Sequence, residues 1–229
     1  MKKVLVLGAG LVSQPLVQYL LDQQNIHVTM ASRTKEKAIK IIDNHPHGQA
    51  VGLDVSNHKK LDSLVSDHEV IVSLLPYTYH VEVAKICLKY GHHLITTSYV
   101  SDEMKKLHAP AKDADLLFLN EIGLDPGIDH MSAMKLIHQF QDKGDNIQSF
   151  TSYCGVLPSR EANTNPIGYK FSWSPRGVLL ASRNSARYLW NGQEVTIPGE
   201  HLFQTYTYHY IPGFGYLAVS YTHLRAHET

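Results

Sequence analysis

The chain has 229 residues, 43% of them apolar and 18% charged, with Lys plus Arg and Asp plus Glu balanced at 21 each. That balance creates no net field for nucleic acid or an anionic membrane, and the apolar share is ordinary for a soluble globular protein. Cys87 and Cys154, the two cysteines, exclude a disulfide framework and suit a reducing, cytoplasmic setting; no run reaches the roughly 18 apolar residues of a membrane span.

Taken in chain order, short runs rich in Val, Ile, Leu and Thr at 4–7, 27–31, 50–53, 70–75, 94–97 and 116–119 read as buried strands. Between them, 12–21, 35–44, 59–66, 79–90 and 102–113 have helical patterning. A strand–helix alternation of this kind predicts an α/β fold, a Rossmann-type doubly wound parallel sheet. Beyond Gly127 the texture changes. A helix at 129–141 is followed by strand-like stretches at 147–153, 169–174, 187–190, 194–197 and 202–210, with a helix at 177–186 among them. Asn191-Gly192 between two of these stretches is a hairpin signal, since both residue types tolerate positive φ. The expected domains are 1–127, dinucleotide-binding; 128–215, an incomplete α+β substrate domain; and 216–229, a tail outside both.

Gly8-Ala9-Gly10-Leu11-Val12-Ser13 follows the first strand and opens the first helix. Gly8 allows a tight turn, Gly10 lets backbone approach a pyrophosphate, and the freed amides of the helix N-terminus attract the anion. Ser13 occupies the third glycine position of the dinucleotide fingerprint, small enough for close packing and able to donate to a phosphate. At the end of the second strand, NAD-preferring sites place an acid for the ribose 2′-hydroxyl. Here Ser32, Arg33 and Thr34 precede any acid, a set suited to the 2′-phosphate of NADP, although a solvated basic turn has the same composition. NADP is therefore expected over NAD. The histidines are scattered; His223 and His227 stand four apart but lack a third ligand, and no metal is expected.

Asn120-Glu121-Ile122-Gly123-Leu124-Asp125-Pro126-Gly127-Ile128-Asp129-His130 resembles a signature of saccharopine dehydrogenases of the glutamate-forming type. Ser152-Tyr153-Cys154-Gly155, the stretch from Gly168 to Leu179, Ser73-Leu74-Leu75-Pro76-Tyr77 and Thr97-Ser98-Tyr99 are similar to further family segments, so the resemblance runs from about Lys3 to about Gly215. It implies oxidation of the secondary amine of saccharopine, giving glutamate and aminoadipate semialdehyde, or the reverse condensation. It further implies a homodimer, with no nucleic-acid or membrane partner.

By the same resemblance Asp125, Cys154 and Tyr99 are the catalytic candidates, and Ser98, Tyr99 and Asp125 hold substrate. Gly8, Gly10, Leu11, Val12, Ser13, Ser32, Arg33, Thr34, Leu75 and Pro76 line the coenzyme. Asp129 is the better candidate to cap the helix after Gly127, which frees Asp125 for the substrate ammonium. Lys170 and Arg176 are further cations for substrate carboxylates. From Tyr216 the family pattern is not followed, which predicts a chain cut short of the family length, with an arginine for a substrate carboxylate missing and activity impaired. A carboxynorspermidine-type dehydrogenase and a non-catalytic NADP-binding fragment are the alternatives.

Overall fold

The computed structural model describes residues 1–166, 168–171, 175–181, 183 and 185–220. Ser172, Trp173, Ser174, the side chain of Arg176, His223 and His227 lie outside the described residues. Packing divides the chain into two units, Met1–Cys154 and Gly155–Thr229.

The first unit runs β1 (Lys2–Leu7), α1 (Ser13–Leu21), β2 (Ile26–Ser32), α2 (Lys35–Ile42), β3 (Gly48–Gly52), α3 (His58–Ser66) and β4 (Val70–Ser73). A single 3₁₀ turn, Tyr77–Tyr79, then leads into α4 (His80–Tyr90), β5 (His93–Thr96), α5 (Asp102–Lys105), α6 (His108–Asp113), β6 (Phe118–Leu119) and α7 (Ile128–Gln141). All six strands are parallel, in the order β3-β2-β1-β4-β5-β6. This doubly wound order places its switch point between β1 and β4, where ligands of such sheets gather at the strands' carboxyl ends.

The period-two alternation of buried strands decides which face each residue packs on. Leu5, Leu7, Ile71 and Leu94 meet Leu61 and Val65 of α3 and Val83, Ala84 and Cys87 of α4. Val4, Val6, Val28, Met30 and Val72 meet Val17 and Leu21 of α1 and Ala38 and Ile42 of α2. Each of these larger side chains stabilises the sheet by about 1.5–3 kcal/mol when fully buried. The register aligns Leu7 with Ala31 and Ser73, and Ser73 with Thr96, so the strand ends form one row. Gly8, Leu74 and Thr97 begin the loops that leave it, and β2 ends one residue further on, at Ser32.

In this unit two elements differ from expectation. The helix expected over 102–113 is two helices, α5 and α6. Pro110 has no N–H to return to the carbonyl of Lys106, so the helical ladder cannot continue unbroken. The strand expected over 147–153 is irregular. Alternation alone does not make a strand, which is held by a ladder to a neighbouring segment, and among the described residues 147–153 belongs to none of the sheets.

The second unit contains α8 (Pro175–Ala181), the hairpin β7 (Ala186–Trp190) and β8 (Gln193–Ile197), and the hairpin β9 (Tyr206–Ile211) and β10 (Gly215–Ser220). Asn191 and Gly192 take φ of 50° and 76°, the left-handed pair that a tight two-residue turn requires. Ala186, Ile197 and Leu202 form its small core, with Tyr188 against it. Residues 168–171 are not a strand, and the stretch expected at 202–210 begins as a 3₁₀ turn, Gly199–Gln204. Strand β10 lies where no element was expected. Among the described residues no helix is long and apolar enough to cross a membrane.

Candidate active site

The turn after β1 leaves the sheet with Gly8 at φ 109°. A Cβ there would lie 3.0 Å from the carbonyl oxygen of Leu74, so the turn and the β4 exit pack backbone to backbone. Gly10 is the opposite case, with nothing within 4 Å of where its Cβ would be. Leu11 and Val12 are 79% and 65% exposed on the same turn, which leaves its outer side open. Helix α1 begins at Ser13 with no side-chain cap and no acid in its first turn. Its leading amides and dipole thus remain available to an anion. Ser13 itself is fully buried, and its hydroxyl donates to the Gly10 carbonyl at 2.8 Å. In this bond it braces the turn.

At the end of β2, Ser32 is half-buried while Arg33 and Thr34 are exposed. Thr34 stands at the N-cap of α2 without using its side chain there. Asp54, after β3, accepts from the backbone and hydroxyl of Ser56, bonds that hold its carboxyl below the usual range, with a lesser contribution from the Arg33 charge. Leu75 packs against the core beside α4, and Pro76 starts the 3₁₀ turn after β4. An uncapped helix start, an open glycine and a basic turn with free hydroxyls match the pyrophosphate and 2′-phosphate of NADP.

The polar cluster is built on the loops after β5 and β6 and on the irregular stretch beyond α7. Tyr99 donates from its hydroxyl to Asp125 Oδ1 at 2.8 Å. Burial raises the Tyr99 hydroxyl well above its ordinary value, and the bond and charge of Asp125 add to the rise. The Cys154 thiol is pushed up to about 11 by desolvation first, then by the charge of Asp125 and a hydrogen bond to it. The three catalytic candidates therefore meet around one carboxylate. At neutral pH Tyr99 and Cys154 are protonated donors beside the Asp125 carboxyl, and Asp129 lies near enough for its charge to act on both.

Gly127 makes that placement possible. With φ 149° and ψ −94° it precedes α7, and the N–H of Gly123 donates to the carbonyl of Pro126 at 2.8 Å while that of Ile128 donates to Gly123 at 3.0 Å. The Asp125–Pro126 peptide is cis. Asp129 lies in the first turn of α7 and not at its N-cap, but its Oδ1 accepts the Gly127 N–H at 2.9 Å. It ties down the helix entry, and Asp125 is left to Tyr99.

One functional candidate went unread in the sequence. Buried His80, the first residue of α4, lies between the end of β4 and the loop after β5. Its Nδ1 is 2.9 Å from Ser73 Oγ and its Nε2 is 2.9 Å from Ser98 Oγ. Burial lowers the ring to about 4, so it is neutral at physiological pH. Ser98, expected to hold substrate, is thus held from behind by a histidine seven residues beyond Ser73.

A parallel sheet in this order, with an open glycine turn after its first strand and a basic turn after its second, defines a Rossmann-type protein of the dinucleotide-binding class. The family model described as saccharopine dehydrogenase NADP binding domain matches residues 4–119, and that described as saccharopine dehydrogenase C-terminal domain matches residues 123–226. The chain belongs to the saccharopine dehydrogenase family. The second match continues past Gly215, where the sequence reading ended the resemblance.

Among curated relatives, the saccharopine dehydrogenase [NADP(+), L-glutamate-forming] of Schizosaccharomyces pombe is 45% identical over 218 residues, 95% of this chain and 48% of that protein. The mitochondrial alpha-aminoadipic semialdehyde synthase of Bos taurus is 43% identical over 199 residues, 86% of this chain and 21% of that one. Among solved structures, the apo histidine-tagged saccharopine dehydrogenase (L-Glu forming) from Saccharomyces cerevisiae superposes with a TM-score of 0.80 at 42% identity, covering 94% of this chain and 49% of that chain. The chain spans about half the length of the L-glutamate-forming relatives it matches.

Proposed function

We propose that the chain serves NADP-dependent oxidation of saccharopine to glutamate and 2-aminoadipate 6-semialdehyde, or the reverse reductive condensation. The observation that carries the reading is the pairing of Tyr99 and Asp125 on strand-end loops of the sheet, with Cys154 from the irregular stretch beyond α7 beside them, on a sheet whose β1 turn is open to a dinucleotide. Identity of 45% to a relative bearing that activity in its name supports saccharopine over carboxynorspermidine.

Gly8, Gly10, Leu11, Val12 and the start of α1 would hold the pyrophosphate, and Ser32, Arg33 and Thr34 the 2′-phosphate. Leu75 and Pro76 would line the ribose and nicotinamide side. When bound, NADP supplies the two-electron oxidant. The carbon–nitrogen bond on the aminoadipate side is oxidised to an imine, water adds to it, and the carbinolamine C–N bond breaks to free the glutamate amine and the aldehyde.

Asp125 offers its carboxylate to the substrate ammonium, and Tyr99 is its hydrogen-bond partner. Because Tyr99 and Cys154 stay protonated, neither serves as base at neutral pH; both give their protons to the Asp125 carboxylate, and water carries the protons of the reaction. Ser98 donates to a substrate carboxylate. In this reading residues 1–127 carry the coenzyme and, through Ser98, Tyr99 and Asp125, part of the substrate site, 128–215 are the incomplete substrate domain, and the family's homodimer is the expected assembly. Free Cys87 and Cys154 support a reducing compartment, the cytoplasm.

Calorimetric titration tests the reading. The purified chain should bind NADP in preference to NAD, and the NADP-loaded chain should bind saccharopine, with Asp125→Asn weakening the second step alone. Equal weakening of both steps, or saccharopine binding indifferent to Asp125→Asn, refutes the assignment.

A further inference from the structure

The interior polar groups of the sheet end raise a question of proton placement. Ser73 is fully buried at the last position of β4, and His80 and Thr96 are buried beside it. Thr96 is accounted for, since its hydroxyl donates to Asn120 Oδ1 at 2.9 Å. The remaining groups form a row, Ser73 Oγ to His80 Nδ1 and His80 Nε2 to Ser98 Oγ, each at 2.9 Å. A neutral imidazole has one N–H and one bare nitrogen, so the row has two possible polarities.

Burial chooses between them. Among the described residues the side chain of Ser73 has one hydrogen-bond partner, His80 Nδ1. A hydroxyl closed off from water must place its proton on an acceptor, and Nδ1 is the acceptor within reach. With Nδ1 accepting, the ring proton belongs on Nε2, which then donates to Ser98 Oγ. The oxygen of Ser98 is thereby occupied as an acceptor, and its own proton must turn away from the row. Ser98 is half-buried, unlike Ser73, so one side of it remains open.

We propose that His80 is a positioning residue: held as the Nε2–H tautomer by Ser73, it forces the Ser98 hydroxyl to donate outward, ready for a substrate carboxylate. The inference deepens the function proposed above and rests on its placement of Ser98 at the substrate. The reverse polarity would turn the Ser98 proton inward onto Nε2 and present its oxygen to the carboxylate, which repels. Placing the histidine in the core, where its ring stays neutral down to about pH 4, keeps the polarity unchanged across the physiological range.

The experiment reads the tautomer in the unaltered chain. Histidine rings are labelled with ¹⁵N, long-range ¹H–¹⁵N correlations are recorded near neutral pH, and His80 is assigned by the signal lost in His80→Gln. A neutral Nε2–H pattern is the expected result; an Nδ1–H pattern or an imidazolium overturns the proposal whether or not substrate binds.

Saccharopine affinity is then measured on the NADP-loaded chain. His80→Phe, which has no ring N–H, should raise the dissociation constant roughly tenfold, as for one lost hydrogen bond to a charged group. His80→Gln, whose amide can donate near the Nε2 position, should recover most of that loss, with NADP affinity unchanged in both. A His80→Phe chain that binds saccharopine as the unaltered chain does overturns the positioning role. Failure of the unaltered chain to bind saccharopine overturns the substrate reading of Ser98, while the tautomer still stands or falls on its own spectrum.

Discussion

Gly127→Ala should dismantle the substrate side and spare the coenzyme side. An added Cβ would lie 2.1 Å from the Gly123 carbonyl oxygen and 2.5 Å from its nitrogen, and both are backbone atoms that no rotamer change can move. The φ of 149° is itself a conformation L side chains rarely adopt. The loop must open, which gives up the Gly123-to-Pro126 bond at 2.8 Å, the Ile128-to-Gly123 bond at 3.0 Å and the Gly127-to-Asp129 bond at 2.9 Å. Three bonds at about 1 kcal/mol each, with about 1–3 kcal/mol of backbone strain, give a local cost of about 4–6 kcal/mol. Local opening meets that cost more cheaply than unfolding of the six-stranded sheet. Hydrogen exchange should therefore show the Gly123 and Ile128 amides losing protection while those of β1 and β4 keep theirs. Saccharopine affinity should fall at least roughly tenfold as Asp125 leaves Tyr99, with NADP affinity held within about twofold. Unchanged protection at Gly123 and Ile128 would refute the reasoning, because the clash is with backbone and cannot be absorbed quietly.

Gly10→Ala should leave thermal stability almost unchanged, since its Cβ meets nothing within 4 Å, yet weaken NADP binding by roughly tenfold or more by filling the approach to the pyrophosphate; equal loss of stability would contradict it. Arg33→Glu should cost NADP roughly tenfold or more in affinity and spare NAD, checked by paired titrations, because it puts an acid beside the 2′-phosphate. Tyr99→Phe should lower kcat/KM for saccharopine by roughly 10- to 100-fold without changing NADP affinity, the loss expected for one hydrogen bond to a charged group. Acid should destabilise the fold in a defined window. Burial holds His80 at about 4 and lowers His68 from 6.5, so the unfolded chain binds protons that the folded chain refuses as pH falls below 6.5. His80 alone should remove about 3 kcal/mol between pH 6.5 and 4, read by denaturant unfolding at each pH; constant stability over that window would show these rings open to solvent.

The doubly wound sheet was legible because its strands are short, apolar and closed by glycine or polar residues, so their period stands out. The hairpin at Asn191-Gly192 was legible for a different reason, since few residue pairs accept two positive φ angles. The strand wrongly expected at 147–153 shows what alternation alone lacks: pairing comes from another segment, and no local pattern states whether that partner exists. The split between α5 and α6 could have been read from Pro110. The turn after β1 was readable because the positive φ at Gly8 and the open space at Gly10 both follow from residue type. His80 was not, because a histidine at the start of a helix carries no motif, and its meaning comes from the alignment of Ser73 with Thr96 and from a loop 18 residues away. Ser13 illustrates a narrower gap, since its small size was anticipated but the inward turn of its hydroxyl to Gly10 depends on the local fold.

The central claim is that one sheet end brings an NADP turn and the Asp125 cluster to the oxidation of saccharopine. The most direct measurement is simultaneous quantitation of NADPH and glutamate formed by the purified chain supplied with NADP and saccharopine, beside Asp125→Asn. The account predicts that the two products appear in equal amounts, at whatever rate the chain sustains, and that Asp125→Asn suppresses both together. NADP bound normally with neither product formed, or NADPH made without glutamate, would contradict it.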